Sequence, residues 1–323
     1  GNTDMRNSAL RQAIVLGGAL LPAPFAIAQE ADEAADFIEE IVVIGQSTTF
    51  ANNVVTESMI NQQSPITSIL STIDNLPGVS VQEGDTYGFD DWSTNVNMRG
   101  FQVNLDEQQI GTTIDGLPNG NSNYGGGAKA NRYIDNGNMG GVEVSQGTAD
   151  IASRSNEALG GTLNFLTANP MQESNVQVNV TLGEFDAERY YVRWDTGAWG
   201  NSDTYAWISA SHQRASDWVH GAAQNRRDHF AGKLTSEFGG RSLLTYYISY
   251  DDTHEDNYQR LFSAEDFENN PTWDQLTDEW SGIPYVDQSY RRGWSTLREN
   301  FFTYLKFEGD VTDGLNLSGA LYY

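Results

Sequence analysis

The sequence predicts a small α+β domain followed by an antiparallel transmembrane β-barrel, of which the chain carries the N-terminal portion with about seven strands. Two observations support this fold class. Of the eight tryptophans only Trp92 precedes Pro170, and from Pro170 onward apolar and polar residues alternate along successive segments. Before Pro170, short alternating segments, one helical pattern and glycine-rich loops are typical of a compact mixed domain. We therefore divide the chain into residues 46–169 and 170–323.

The composition narrows the possible function classes. Lys and Arg total 18 against 44 Asp and Glu, so the net charge is -26 and nucleic acid phosphate would be repelled. The absence of cysteine excludes a disulfide scaffold, a thiolate metal site and a cysteine nucleophile. No zinc-protease, nucleophile-elbow or phosphate-loop motif occurs in the sequence. We predict no enzymatic activity, no cofactor, no metal and no nucleic-acid partner.

Residues 5–28 have the features of a secretory signal peptide. Arg6 and Arg11 form a basic start, residues 13–21 form a short apolar run, and residues 26–28 form a small-x-small cleavage site. The apolar run is too short to span the ~30 Å hydrocarbon core of a bilayer. We expect cleavage after residue 28 and export of the mature chain.

Residues 29–45 combine an acidic leader with four consecutive β-formers, Ile41 to Ile44. These four residues are consistent with the first buried strand of the following domain. They are also consistent with an extended segment that pairs with the sheet edge of another protein, where backbone hydrogen bonds supply the affinity. The residues alone leave both interpretations open.

Residues 46–169 show helix, strand and loop patterns in short succession. Ser64 is placed to cap a helix that has Pro65 at its first position and that ends near Asn75. Alternation and turn residues predict several short strands, at 79–81, 96–101, 109–114, 142–144 and 159–165. Residues 117–133 are rich in Gly, Asn and Ser, which predicts a long exposed loop.

Five motifs in this region occur in a characteristic order. They are Asn75-Leu76-Pro77-Gly78-Val79, Met98-Arg99-Gly100-Phe101, Ile114-Asp115-Gly116-Leu117-Pro118, Val142-Glu143-Val144 through Gly147, and Leu159-Gly160-Gly161-Thr162-Leu163-Asn164-Phe165. In order and spacing they resemble the plug domain of TonB-dependent outer-membrane receptors. The chain departs from that family in two places. Ser145-Gln146-Gly147-Thr148 stands where the family usually has Arg-Gly-Pro, and Ser155-Asn156-Glu157 lies where Tyr-Gly is usual.

The resemblance implies that residues 46–169 form a plug and that a TonB box precedes it. The box residues would be Glu40, Ile41, Val42 and Val43, with the TonB energy-transducing complex as the partner. The plug motif residues would be Pro77, Gly78, Arg99, Gly100, Asp115, Gly116, Glu143, Gly147, Gly160 and Gly161. We expect the glycines to serve backbone geometry. Arg99 and Glu143 would help to seat the plug by facing polar groups of the barrel lumen or each other, unless both are solvated charges on a strand face.

Residues 170–323 contain seven segments with the period of a half-buried strand. Six are clear alternations and the seventh, 229–238, is weaker; the clear ones cover residues 176–182, 190–195, 206–211, 244–250, 301–307 and 315–321. Tight turns at 200–201 and 239–240 contrast with one long acidic connection, 251–296, as in outer-membrane barrels. A soluble β-sandwich would alternate similarly and stays an alternative. Because seven strands cannot close a barrel in lipid, we expect this chain to be a truncated part of a ~22-stranded one.

The function implied by the resemblance is TonB-dependent active uptake of a scarce solute across the outer membrane of a Gram-negative cell, with outer-membrane lipid around the barrel. A ferric siderophore or similar iron chelate is the favoured ligand, and an oligosaccharide is the alternative. A non-transporting exported adhesin or binding protein is the alternative of another class. Hydrogen-bonding and stacking groups in two loops are the ligand-binding candidates: Asn119, Asn121, Asn123, Tyr124, Trp273 and Trp280.

Overall fold

The computed structural model describes residues 51–120, 129–200, 202–219, 223–257, 259, 263–312 and 314–323. The predicted signal peptide and the predicted TonB box, Glu40 to Val43, lie outside the described residues and remain predictions. The described chain forms two small sheets up to Thr167 and one large sheet from Ser174 onward. We call residues 51–169 the N-terminal domain and the large sheet the wall sheet.

The described part of the N-terminal domain is built on eight short strands. They are β1 (Asn53–Thr56), β2 (Val79–Gln82), β3 (Asn95–Met98), β4 (Phe101–Val103), β5 (Gly111–Ile114), β6 (Leu117–Pro118), β7 (Met139–Gln146) and β8 (Gly161–Thr167). Five of them form a sheet in the order β1-β7-β8-β5-β6, and the other three form the sheet β2-β3-β4. Only β5 and β8 pair in parallel. Ile114, Val142 and Phe165 are fully buried where these strands meet, so the core lies on the five-stranded sheet.

The helices of this domain are shorter than the sequence indicates. Instead of one helix from Ser64 to Asn75, the structure has a 3-10 helix, Ile69–Ile73, which is capped by Ser68. The hydroxyl of Thr72 donates to the carbonyl of Ile69 at 2.6 Å, a local bond that competes with regular α-helical pairing. The apolar residues of the segment are nevertheless buried as their spacing predicts. The other short helices are α1 (Glu57–Ile60) and two further 3-10 helices, Ala130–Arg132 and Asn136–Asn138.

The predicted single strand at 96–101 is a hairpin. Strands β3 and β4 pair antiparallel and are joined by Arg99 and Gly100, whose φ angles are 52° and 90°. Two-residue turns of this kind need a positive φ at both positions, which glycine adopts without strain. The turn therefore reverses the chain at the Arg-Gly pair, where alternation alone predicts continuation.

The wall sheet contains the seven predicted strands. They are β9 (Ser174–Leu182), β10 (Glu188–Thr196), β11 (Thr204–Ser216), β12 (Gln224–Phe238), β13 (Ser242–Asp256), β14 (Ser295–Thr312) and β15 (Leu315–Tyr322). Each strand pairs antiparallel with its neighbours in sequence, and β9 and β15 form the two edges. The predicted fold class, an α+β domain followed by antiparallel wall strands, is confirmed.

The two faces of the wall sheet are reversed relative to a water-soluble sheet. On the outer face, Val192, Trp194 and Ile208 are 44%, 46% and 57% exposed. On the inner face, which the N-terminal domain covers, Arg189 and Lys233 are buried. Antiparallel sheets in water instead bury the apolar face and expose the polar one.

The connection between β13 and β14 is the longest in the wall sheet. Its described part contains the short helix α2 (Ala264–Asn269) and two 3-10 helices, Asp287–Ser289 and Arg291–Trp294. The buried pair Arg291 and Asp274 holds this connection together. Among the described residues, no helix combines the length and the apolar character needed to cross a membrane.

Candidate functional site

Four of the sequence motifs meet at one end of the N-terminal domain. The backbone N–H of Arg99 donates to the carbonyl of Gly78 at 2.9 Å. The Arg99 side chain continues to Gln146, whose amide oxygen accepts from Nε at 3.1 Å. Gly147, beside Gln146, donates its N–H to the carbonyl of Gly160 at 2.9 Å. Motifs that are distant in sequence therefore form one contiguous cluster.

Two glycines of this cluster are required by close approach. A Cβ on Gly160 would lie 2.1 Å from the Cβ of Phe101. A Cβ on Gly161, which has a φ of +131°, would lie 2.1 Å from the carbonyl oxygen of Ser145. Since real Cβ atoms do not approach this closely, only glycine fits at the start of β8.

Asp115 connects the N-terminal domain to the wall sheet. It opens the turn between β5 and β6, and its carboxylate accepts from the N–H of Thr167 at 2.9 Å. The same carboxylate accepts from the hydroxyl of Tyr304, a residue of β14, at 2.7 Å. Tyr304 is buried and its ring stacks on Tyr247 at 5.6 Å. A motif residue of the domain is thereby bonded directly to the wall.

Arg99 and Glu143 each have a hydrogen-bond partner within the N-terminal domain, but they do not bond to each other. Arg99 contacts Gln146, as described above, and the Glu143 carboxylate accepts from the amide of Asn164 at 2.8 Å. Asn164 in turn accepts from the N–H of Gly116 at 2.8 Å. Each of these two charges thus has an amide partner in its own domain, whereas the observed hydrogen bond between a plug motif and the wall is made by Asp115.

A short segment carries many of the other contacts with the wall sheet. We call residues 131–138 the docking segment. Arg227 of β12 donates to the carbonyls of Asn131 and Ile134, at 2.6 and 3.1 Å. The hydroxyl of Tyr247 donates to the carbonyl of Tyr133 at 2.9 Å. The hydroxyl of Tyr191 donates to the carbonyl of Gly137 at 2.9 Å. Wall side chains therefore hold the docking segment largely through its backbone oxygens.

The C-terminal end of the N-terminal domain, residues 167–169, is also held by wall side chains that bind its backbone carbonyls. Trp207 donates its indole N–H to the carbonyl of Ala168 at 2.8 Å. Lys233 and Arg193 donate to the carbonyls of Thr167 and Asn169, at 3.1 and 2.9 Å. All three wall side chains are buried, so these hydrogen bonds are shielded from water.

The docking segment also contains a buried ion pair with the wall. Asp135 pairs with Arg189 of β10, and both side chains are almost fully buried. Asp135 further accepts from the hydroxyl of Ser211 at 2.8 Å. Burial by itself raises the pKa of Asp135, but Arg189, His229 and Arg227 outweigh it and hold the pKa below its ordinary value. Asp135 is therefore a carboxylate, and its charge is neutralised by wall residues.

Asp91 forms a second charged contact. It pairs with Lys129 and Arg132 of its own domain, and Arg298 of β14 approaches it to 3.8 Å. Arg298 also binds Glu255 of β13. Burial raises the pKa of Asp91, and the three cations together lower it below the ordinary value. The contact thus joins the domain to two wall strands.

The predicted ligand-binding residues lie in separate parts of the structure. Asn119 is buried, and its amide oxygen accepts from the hydroxyl of Thr112 at 2.9 Å. Asn121, Asn123 and Tyr124 lie outside the described residues. Trp273 and Trp280 lie in the β13–β14 connection and are 42% and 67% exposed. Their role in ligand binding remains a prediction.

The sequence pattern does not reveal the docking segment or its wall partners. The sequence offers one indication of the wall partners: Arg189 and Arg193 lie on the same face of a strand whose other face is apolar. Alternation assigns them to the polar face but names no partner. Their contacts, Asp135 and Asn169, are 54 and 24 residues away in sequence.

We expect Tyr304→Phe to weaken the seating of Asp115 without unfolding the wall. The substitution removes one hydrogen bond to a half-buried carboxylate and keeps the ring that stacks on Tyr247, so the expected cost is about 1.5–3 kcal/mol. Hydrogen exchange of the β5–β6 amides in the intact protein measures it. Tyr322→Phe, at an exposed position of β15, is the control. Equal protection in both variants would show that the Asp115 contact contributes nothing.

The small α+β domain lies on the polar face of an antiparallel sheet whose other face is apolar. This arrangement is that of a plug domain with its barrel strands. Residues 45–162 match the sequence model of the TonB-dependent Receptor Plug Domain family. The chain therefore contains the plug domain of the TonB-dependent receptors, and the resemblance found in its sequence motifs is confirmed. From here on we call the N-terminal domain the plug.

Three solved structures illustrate the likeness. The ferripyoverdine receptor of the outer membrane of Pseudomonas aeruginosa, bound to ferripyoverdine, has a TM-score of 0.58 at 19% identity, covering 81% of this chain and 33% of that one. The siderophore receptor PiuA from Acinetobacter baumannii has a TM-score of 0.60 at 15% identity, covering 87% and 36%. The ferric citrate transporter FecA in its unliganded form has a TM-score of 0.61 at 18% identity, covering 88% and 40%.

At these identities the likeness concerns the fold. The chain spans between 33% and 40% of the length of these three structures. No curated protein matches the sequence.

Proposed function

We propose that this chain is part of an outer-membrane transporter that takes up a scarce solute by TonB-dependent active transport, with a ferric siderophore or similar iron chelate as the favoured ligand. The observation that carries the proposal is the reversed wall sheet, whose apolar face is exposed while its polar face holds a plug. A plug on the polar side is useful only if that side is a passage.

The outer face supports a membrane environment. Cross-strand register places Val192, Ala210, Phe230, Tyr250 and Phe301 in one continuous row across five strands. Exposure of such a surface to water is unfavourable by roughly 25 cal/mol per Å² of apolar area. Lipid removes that cost. A water-soluble adhesin or binding protein would bury this face, which argues against the alternative of another class.

The position of the predicted TonB box supports mechanical coupling. The box residues Glu40 to Val43 lie ten residues before Asn53, the first residue of β1. Strand β1 is the edge strand of the plug sheet, where it pairs with β7. A pull on the box by the TonB complex would act first on this edge, and through β7 on the motif cluster.

Similar solved structures support the favoured ligand class. The three solved structures named above are receptors or transporters of iron chelates according to their names. The exposed ring of Trp280, which packs edge-on against Tyr290 at 5.3 Å, offers a stacking surface that an oligosaccharide could also use. Competition between ferric siderophores and oligosaccharides for binding to whole cells separates the two ligands.

Val42→Pro tests the transport proposal. Proline removes a backbone donor from the pairing edge, so uptake of radioactive iron chelate should fall to background while binding to the cell surface stays unchanged. The measurement uses iron-limited cells that carry the protein in the outer membrane and have an intact inner-membrane TonB complex.

Ala35→Pro, in the acidic leader, is the matched control and should transport normally. Normal uptake by Val42→Pro would contradict the assignment of the box. Loss of binding as well as uptake would place the defect in the folding of the receptor and would contradict a role limited to coupling.

A further inference from the structure

The β13–β14 connection contains a pocket of about 310 Å³. The pocket opens where this connection meets the β11–β12 connection, whose residue Val219 forms part of the lining. Both connections lie at the end of the wall sheet opposite the tight turn 239–240. In outer-membrane barrels the tight turns lie on the periplasmic side and the longer connections lie outside the cell. The pocket therefore opens to the external medium.

A buried ion pair forms the base of the pocket. Arg291 pairs with Asp274, and their side chains are 3% and 0% exposed. The Asp274 carboxylate also accepts from the backbone N–H groups of Gln259 and Leu276, at 3.1 and 3.2 Å. The Nε of Arg291 donates to a second carboxylate, that of Asp278, at 3.3 Å. The positive charge of Arg291 is therefore already offset by two carboxylates, and the base of the pocket does not attract an anion.

An indole ring and two polar side chains surround the opening of the pocket. Trp273 is 42% exposed, and its backbone N–H donates to the carbonyl of Asn270 at 3.2 Å, so the turn after α2 holds the two residues together. The amide oxygen of Asn270 accepts from the hydroxyl of Thr272 at 3.4 Å, which leaves the NH₂ group as a donor. The carboxylate of Glu279 is an acceptor on the exposed side of the pocket. The opening thus combines a flat apolar face with a hydrogen-bond donor and an acceptor.

These groups fit an uncharged sugar ring. A pyranose has an apolar face of C–H groups, which stacks on an indole, and a rim of hydroxyls that donate and accept hydrogen bonds. The anionic arms of a catecholate or carboxylate chelate would instead meet the carboxylates of Asp278 and Glu279. Ligand pockets measure about 300 to 1,000 Å³, so a pocket of about 310 Å³ accommodates one ring and not a whole chelate.

We propose that the pocket of the β13–β14 connection binds one uncharged sugar ring. The ring stacks on Trp273, its hydroxyls donate to Glu279, and the amide of Asn270 donates to one of its oxygens. The ring belongs either to a free oligosaccharide or to a sugar attached to an iron chelate, because the pocket contacts the sugar in the same way in both. The inference rests on the proposed function, which places this connection outside the cell.

A glycan microarray and a matched pair of chelates are the probes. The intact protein, purified in detergent, is applied to an array of neutral, acidic and amine-bearing glycans. Its affinities for ferric enterobactin and for the diglucosylated form of the same chelate are measured by titration calorimetry. Binding to neutral glycans assigns the ring to an oligosaccharide. Tighter binding of the glucosylated chelate, without binding to the array, assigns the ring to a chelate; both results support the proposal.

Two variants locate the sugar in the pocket. Trp273→Ala should weaken the sugar-dependent binding by about tenfold, because it removes the stacking face. Glu279→Gln should weaken it by about threefold, because a charged acceptor becomes a neutral one. The matched controls are Phe267→Ala and Glu268→Gln, at exposed positions of α2 that do not line the pocket, and both should bind within about twofold of the unaltered protein. Because Trp273→Ala also removes packing within the connection, Glu279→Gln, which changes only an exposed side chain, provides the independent test.

Three results would overturn the proposal. The first is no binding to any neutral glycan together with equal affinity for the two chelates. The second is stronger binding to acidic or amine-bearing glycans than to neutral ones, which would assign the pocket to a charged group. The third is equal sugar-dependent binding by the pocket variants and their controls. TonB-dependent uptake without sugar binding would remove this inference alone, while normal uptake by Val42→Pro would count against the transport proposal and leave the sugar site standing.

Discussion

Asp135→Ala should detach the docking segment from the wall sheet and destabilise the seated plug by about 3–5 kcal/mol, because it leaves Arg189 charged and unpaired in a buried site. It also removes the acceptor for the Ser211 hydroxyl. The intact protein in detergent is unfolded with urea, and hydrogen exchange of β7 and β8 reports the stability of the plug. We expect exchange in the plug to accelerate while exchange in the wall strands changes little.

Asp310→Ala is the matched control for Asp135→Ala. Asp310 pairs with Arg241 at 3.8 Å, with side chains 36% and 67% exposed, so its loss should cost only about 0–1 kcal/mol. The double variant Asp135→Ala with Arg189→Met should recover much of the stability, because it replaces both charges with apolar groups. Equal stability of the Asp135 and Asp310 variants would show that the buried pair does not hold the plug.

Gly161→Ala should have the next largest effect, a loss of about 2–4 kcal/mol in the stability of the plug. The added methyl group would overlap the carbonyl oxygen of Ser145, and alanine is strained at a φ of +131°. The backbone must shift, which breaks the pairing between Gly161 and Gln146 at the end of β7 and β8. Faster hydrogen exchange at this end of the two strands, with β1 less affected, is the expected result.

Gly100→Ala separates the effect of backbone strain from the effect of steric overlap. Gly100 also has a positive φ, +90°, but a Cβ there would meet nothing within 4 Å. Its alanine variant should therefore lose only the part due to backbone strain, roughly 1 kcal/mol. If both variants lose the same stability, the close approach of β8 to Ser145 does not limit the residue at position 161.

The sequence predicts the elements of the fold better than their contacts. Seven wall strands follow from a period of two, and the apolar residues of the alternation lie on the outer face, as Trp194 and Ile208 illustrate. The five plug motifs follow from order and spacing. The helix at 64–75 and the strand at 96–101 are wrong because hydroxyl bonds of Thr72 and the turn at Arg99 override the periodic pattern.

The contacts between plug and wall could not be predicted from one sequence. Asp115 and Tyr304 are 189 residues apart, and nothing in the sequence around either residue predicts the other as its partner. The roles expected for Arg99 and Glu143 illustrate the same limit. Their charges are evident in the sequence, but their amide partners, Gln146 and Asn164, are determined by the way the strands of the plug fold onto each other.

The manner in which the wall holds the docking segment has an evolutionary consequence. Arg227, Tyr247 and Tyr191 bind main-chain carbonyls, which every amino acid provides. Substitutions at Tyr133 that preserve the path of the chain leave the bond from Tyr247 in place, whereas a side chain at Gly137 would overlap the ring of Tyr191, and an insertion or deletion of one residue displaces all three anchors. Inheritance should therefore preserve the length of this short stretch and the residues at 135 and 137, while a position that offers the wall only its carbonyl is free to vary.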